Sequence, residues 1–185
     1  MSSLCNGGSS DLFALVAYIP DPVGEFVDRV RREIAPGCRL RAHITILPPR
    51  EIATDRETAS GEIESVLSDT RAFRVGIGGV TVFPVSNVVY LAISAGSEAI
   101  KALHYRLNKG CCRSTEAWCF EPHLTLAQDL DPNDIARAKE LVEQRWHDYR
   151  GPHEFTLDKL TFVQGNPEHG WVDLTDWELP SPVLV

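Results

Sequence analysis

Residues 43–46 read His-Ile-Thr-Ile, and residues 123–126 read His-Leu-Thr-Leu. In an extended chain, alternate side chains point to the same face. His43 and Thr45 then share one face, with Ile44 and Ile46 on the other. His123 and Thr125 share a face in the same way, opposite Leu124 and Leu126. The apolar pairs ask for a core under each strand, so both segments are expected to be strands buried on one side. A single His-x-Thr in a strand is common and usually belongs to a satisfied surface or core histidine. Two copies in the same apolar alternation, one in each half of the chain, are hard to ascribe to chance.

The segments between the motifs set the architecture. Residues 12–19 form a short apolar run with β-branched and aromatic side chains, and predict a buried strand. A helix is expected over 21–34, capped by Asp21, with Pro22 in its first turn and Val23, Phe26, Val27, Val30 and Ile34 along one stripe. The first motif strand is expected over 39–47 and should stop at Pro48 and Pro49, which cannot continue a ladder. A second helix is expected over 55–68, with Ile63, Val66 and Leu67 inward. The runs FRVGIGG, VTVFP and NVVYLAIS alternate with period two and predict strands. A helix opening at Ser97 buries Ile100, Leu103 and Leu107 and ends at Gly110. The second motif strand follows at 123–128. A helix then opens at Asp131-Pro132, with Ile135, Ala138, Leu141, Val142 and Trp146 as its stripe. Strands near 154–163 and 170–178 close the chain. The two halves thus have similar element orders. The fold class expected is α+β: a bilobal, pseudo-twofold fold, each lobe a small antiparallel sheet backed by helices, with a cleft between them. The lobes divide near 85–95, or the chain crosses between them. Residues 1–10 read as a flexible tail, and 11–185 as a single bilobal domain.

Composition narrows the chemistry. The net charge of −8 argues against a protein that coats long duplex nucleic acid, because that needs a basic surface. A short or terminal phosphate remains compatible, since a few arginines can hold it. The five cysteines (Cys5, Cys38, Cys111, Cys112 and Cys119) are odd in number and contain no C-x-x-C. A structural zinc site is not expected, and a reduced, cytoplasmic setting is the simplest reading. The N-terminal decapeptide lacks the basic segment of a signal peptide. The run at 12–19 is too short to span a bilayer. A monomer without metal or other cofactor, and without membrane contact, is the expectation.

An imidazole beside a hydroxyl is suited to phosphoesters. Histidine takes or gives a proton near neutrality, and threonine donates to a phosphate oxygen. Two such pairs across a groove place a base on one side of a phosphorus and an acid on the other. In-line displacement needs that arrangement.

With "PHLTLA" around its second copy, the double motif resembles the 2H phosphoesterase superfamily, close to the bacterial 2′–5′ RNA ligase (LigT-like) and cyclic phosphodiesterase group. The segment VFPVSNVVYLAIS between the motifs is also similar, and the resemblance runs from LFALVAYIP to GWVDLTDWEL. It implies a bilobal fold with the site between the lobes. It further implies metal-independent chemistry on 2′,3′-cyclic phosphates or 2′–5′ linkages of a small nucleotide or RNA end. By motif match His43 and His123 are acid/base residues, and Thr45 and Thr125 bind phosphate. Relatives often carry a basic residue just after the second motif, and here that place holds Gln128. The alternative reading is a non-catalytic module that binds nucleotides or RNA ends in the same cleft. A histidine-based metal protein is disfavoured, because threonine is a poor ligand and no carboxylate accompanies either motif.

Further candidates come from position. Arg39 and Arg41 share parity with His43 and either attract phosphate or are solvated strand-end arginines. Arg50, after two prolines, is expected in a loop near the cleft mouth, with the same two readings. Phe83 and Phe120 have the shape to stack on a base, or to pack in the core. His104, His147, His153 and His169 are expected to be solvent-facing, and Trp118, Trp146, Trp171 and Trp177 to be core or edge aromatics.

Overall fold

A computed structural model describes residues 11–168 and 170–181. The tail at 1–10 and His169 lie outside the described residues. The chain runs β1 (Phe13–Tyr18), α1 (Val23–Ile34), β2 (His43–Arg50), α2 (Arg56–Leu67), β3 (Phe73–Val82), β4 (Val89–Ala95) and α3 (Ser97–Leu107). A short 3₁₀ turn (Gly110–Cys112) leads to β5 (His123–Ala127), α4 (Ile135–Asp148), β6 (Glu154–Leu157), β7 (Lys159–Asn166) and β8 (Gly170–Glu178). Two four-stranded sheets result, ordered β2-β1-β7-β8 and β5-β4-β3-β6, with every pairing antiparallel. With the four helices they make the bilobal α+β fold.

The chain crosses between the lobes rather than dividing near 85–95. β3 follows the first motif yet pairs with β4 in the second sheet, while β7 follows the second motif yet pairs with β1 in the first. The stretch 154–163 is therefore not one strand. β6 finishes the second sheet, and after Asp158 the chain enters the first sheet as β7. The runs FRVGIGG and VTVFP instead join into the single long β3, whose two ends pair with β6 and β4.

Element boundaries follow local chemistry. Asp55 caps α2 by accepting from the Thr58 N–H at 2.8 Å. Gly96, not Ser97, occupies the N-cap position of α3, at φ +79°, where a Cβ would lie 2.5 Å from the Arg74 carbonyl oxygen. The Asp131-Pro132 pair makes a turn, with the Asp131 carboxylate accepting from the Asn133 N–H, and α4 starts only at Ile135. β2 runs through Pro48 and Pro49 to Arg50, contrary to the expected stop. It is an edge strand with a register shift against β1 near these prolines, so their missing N–H groups break no inner ladder. It also begins at His43, so 39–42 approach it outside the ladder.

Each motif strand alternates as its sequence dictates: Ile44, Ile46, Leu124 and Leu126 are buried, and the His and Thr positions are part-exposed. α1 packs on β5, and α3 on both β2 and β4, so helices reach across the lobes and one core serves both. β1 sits inside its sheet, with Leu15 and Ala17 in that core and Ala14 and Val16 on the other face with Val163. This explains why its sequence is apolar at nearly every position. Truncating the core behind one motif should be felt globally. Leu124→Ala is expected to lower stability by about 2–5 kcal/mol, read from urea unfolding, with the transition remaining single.

Candidate active site

β2 and β5, the edge strands carrying the two motifs, lie against each other. Their His43, Thr45, His123 and Thr125 side chains line one cleft of about 580 Å³, within the size range of small-ligand sites. The pairing register places Tyr18 opposite His43 and Tyr90 opposite Thr125.

Both imidazoles are held the same way. His43 Nδ1 lies 2.7 Å from the Arg41 carbonyl oxygen, and His123 Nδ1 lies 2.7 Å from the Glu121 carbonyl oxygen. A carbonyl only accepts, so each Nδ1 carries its hydrogen. This leaves Nε2 of both rings as the nitrogen for a ligand: a lone pair when the ring is neutral, an N–H donor when it is charged. In each half the carbonyl is two residues before the histidine.

A helix-borne cation reaches each carbonyl-bearing residue. Arg31, buried in α1, donates to the Arg41 carbonyl oxygen at 3.2 Å. α3 supplies Lys101, whose ammonium lies 2.8 Å from the Glu121 carboxylate. Arg31 also lines the cleft, and it adjoins Thr125 and Gln128 around a small neighbouring hollow. Gln128 itself lines the cleft without a charge. Arg31 was not among the residues singled out from the sequence, because it lies beside the apolar stripe of α1 and not on it. Its one signal was that it falls on the helix one residue past the buried Val30.

The electrostatics of the two rings differ. Burial, reinforced by the Arg31 guanidinium, holds His43 far below the usual imidazole range, at about 4. Burial also pulls His123 down, but there the Glu121 carbonyl and carboxylate oppose it.

The remaining candidates separate. Phe83 lines the cleft, stacks on Tyr90 at 4.0 Å and meets the His123 ring edge-on at 4.9 Å. Arg41 is not among the residues lining the cleft, and it lies outside the β2 ladder, which begins at His43. Its guanidinium lies over the Tyr18 ring at 3.6 Å and pairs with Asp173 at 3.2 Å. Arg39 donates to the Glu168 carbonyl oxygen. Arg50 is the last residue of β2 rather than a loop residue. It borders the cleft, but its guanidinium is committed to Asn108 Oδ1 (2.8 Å), the Cys112 carbonyl (2.9 Å) and Glu116 (2.8 Å). His104 is buried, not solvent-facing: its Nδ1 meets the Ile46 carbonyl at 2.8 Å and its ring stacks flat on Phe120 at 3.8 Å. His147 and His153 are exposed. Trp146 is core, Trp171 borders the cleft, and Trp118 stands in solvent. Among the described residues, no three His, Cys, Asp or Glu side chains cluster to hold a metal ion, and no helix is long and apolar enough to cross a membrane.

Two edge strands that present paired histidines to one cleft define a two-histidine phosphoesterase architecture. Comparison with known proteins agrees. The sequence profile described as the 2′–5′ RNA ligase superfamily matches residues 19–167. A Bacillus cytotoxicus protein with a provisional phosphoesterase name is 30% identical over 131 residues, covering 70% of this chain and 73% of that one. A similarly named Bacillus mycoides protein is 29% identical over 135 residues, covering 67% and 77%. In three dimensions the chain is similar to Escherichia coli LigT crystallised with NADP+ (TM-score 0.61, 16% identity, 94% of this chain and 100% of that one). It is also similar to a Thermus thermophilus protein (TM-score 0.59, 14% identity, 92% and 98%). The chain belongs to the 2′–5′ RNA ligase superfamily and is a phosphoesterase of the two-histidine type.

The Arg50 cluster bridges the ends of the two motif segments, and its arginine side chain is only 4% exposed against 19% for Glu116. Arg50→Met would take the guanidinium from a largely buried carboxylate and from the Cys112 carbonyl, while Asn108 Oδ1 would keep the Ser114 N–H. The expected loss is about 3–5 kcal/mol in urea unfolding, more than a solvated arginine would give.

Proposed function

We propose that the cleft hydrolyses a phosphodiester of a small nucleotide or RNA end, a 2′,3′-cyclic phosphate or a 2′–5′ linkage, without a metal ion. The observation that carries this reading is the matched pair of Nδ1–carbonyl hydrogen bonds, which leaves both Nε2 atoms available in one cleft. The crystal structures of Escherichia coli LigT in complex with 3′-AMP and with phosphate support the nucleotide class.

In this reading His43 is the base and His123 the acid. A ring held neutral by burial and a nearby guanidinium keeps its Nε2 lone pair. At His123 the Glu121 carbonyl and carboxylate favour the charged form, so that ring is the better one to give a proton to the leaving oxygen. For a cyclic phosphate, water attacks phosphorus as His43 Nε2 takes its proton. The bond from phosphorus to one ribose oxygen breaks, and His123 Nε2 protonates that oxygen. The product is a phosphomonoester. Afterwards His43 carries the proton and His123 is neutral, and exchange with solvent resets the pair. Thr45 and Thr125 donate hydroxyl hydrogens to the non-bridging oxygens, and Arg31 offsets their charge.

The active form holds one proton on the pair. Below about 4 His43 is protonated and the base is lost. Above the value for His123, itself depressed, the acid is lost. The profile of kcat/KM against pH is therefore expected to be a bell on the acidic side of 6.5, rising through about 4, with both limbs belonging to the pair.

His43→Ala and His123→Ala are each expected to cost ~10²–10⁴-fold in turnover of 2′,3′-cyclic nucleotides, with circular dichroism unchanged. The double variant should lose less than the product of the single losses. Thr45→Val and Thr125→Val should cost less than either alanine variant. Activity should survive exhaustive chelation by EDTA. Near-normal turnover by either folded histidine variant would sink the mechanism. Tight nucleotide binding without turnover would make the cleft a non-catalytic binding module.

A further inference from the structure

The segment 114–121 walls the cleft just before the second motif, and it is fixed at several points. Asn108 brackets Ser114, accepting its N–H at 2.7 Å and donating to its carbonyl at 3.1 Å. Glu116 accepts from Arg50 at 2.8 Å and lies 3.6 Å from His104 Nε2. Phe120 stacks on His104 with the ring planes 5° apart. Glu121 is tied to Lys101. Between these anchors Trp118 is 68% exposed, and among the described residues its indole makes no ring contact. Val85, on the 83–88 loop, is 67% exposed and lines the same cleft. An indole left in water on an anchored wall of a ligand cleft is a large apolar surface with nothing to cover it.

Charge says what belongs there. The acidic residues of this wall, Glu116 and Glu121, are each matched by a cation, Arg50 and Lys101. Arg113, just before this wall, is not among the cleft-lining residues, so the cleft-facing part of the wall offers no unmatched charge to a second phosphate. The cation placed against the histidine pair is Arg31, on α1. An anionic group thus belongs at the histidines, and an uncharged flat group belongs on the wall.

We propose that Trp118 is a preformed stacking platform for the nucleobase of the substrate, with Arg50, Glu116 and His104 as residues that position its loop. This rests on the phosphodiester reading above and adds the subsite that distinguishes a nucleotide from any other diester. Stacking is tolerant of base identity, because every base has a π-face, so the platform selects for a base without selecting which one.

The test compares adenosine 2′,3′-cyclic phosphate with glycerol 1,2-cyclic phosphate, which has the reacting ring but no base. In Trp118→Ala the ratio of kcat/KM for the first over the second is expected to fall about 5- to 150-fold, the worth of one base–aromatic stack. Trp118→Phe should restore most of it. An unchanged ratio in folded Trp118→Ala would overturn the proposal. Adenosine alone gives a readout that needs no chemistry: it should quench the tryptophan emission of the wild-type chain, and Trp118→Ala should bind it more weakly by calorimetry. If neither cyclic phosphate turns over, the hydrolytic reading fails, and the adenosine titration still decides. Weaker binding in the variant upholds the platform, and equal or absent binding in both chains rejects it.

Discussion

Two strand edges meet where the chemistry is placed. β2 and β5 each end their sheet, and each leaves one side without a partner strand in its own lobe. Setting them against each other covers both edges, which would otherwise be open to pairing with another chain. It also brings the outward alternation of one motif to the outward alternation of the other. The requirement that an apolar position follow each His and Thr thus serves folding and function together. A one-residue slip of either strand would bury an imidazole and expose isoleucine or leucine.

The crossing topology makes that meeting rigid. β3 and β7 each leave their own half to pair in the opposite sheet, and α1 and α3 pack across the divide. A hinge between the lobes would have to break strand pairings and a shared core, not merely open a linker. Both histidines also depend on the same local device, a hydrogen bond to the carbonyl two residues back. Each half supplies a helix-borne cation to the residue bearing that carbonyl: Arg31 to the carbonyl of Arg41, and Lys101 to the side chain of Glu121. The repeat extends to how each histidine is held, although the two halves share little sequence beyond the motif.

What could be read in advance was local. The alternation of Ile44, Ile46, Leu124 and Leu126 follows from period two, and the stripes of α1 and α3 from period 3.6, so the strands, helices and α+β class were legible. The readings that failed depended on partners distant in the chain. Whether Pro48 and Pro49 end a strand turns on that strand being at an edge, which the residues around them do not reveal. The division of 154–163 at Asp158 reflects two sheets competing for neighbouring segments. Arg41 and Arg50 were reasonable phosphate candidates by position, but Tyr18 and Asp173 hold one, and Asn108 and Glu116 hold the other. His104 looked solvated because nothing local predicts that the Ile46 carbonyl and the Phe120 ring will enclose it.

Burial of the two imidazoles raises a question about charge. Both are shifted toward the neutral form, His43 the further, and Arg31 adds to that shift at His43. Without ligand the cleft is thus poor in protonated acid near neutrality. A bound phosphodiester changes the balance, because its negative charge favours protonation of whichever ring can best accept it. His123, with the Glu121 oxygens beside it and no neighbouring guanidinium among its influences, is that ring. In the mechanism proposed above, substrate binding would then draw in the proton that the leaving oxygen needs, while His43 would stay a base under the influence of Arg31. In that mechanism an acidic chain of net charge −8 needs one well-placed guanidinium, since the selectivity lies in the difference between two part-buried rings and not in a basic surface.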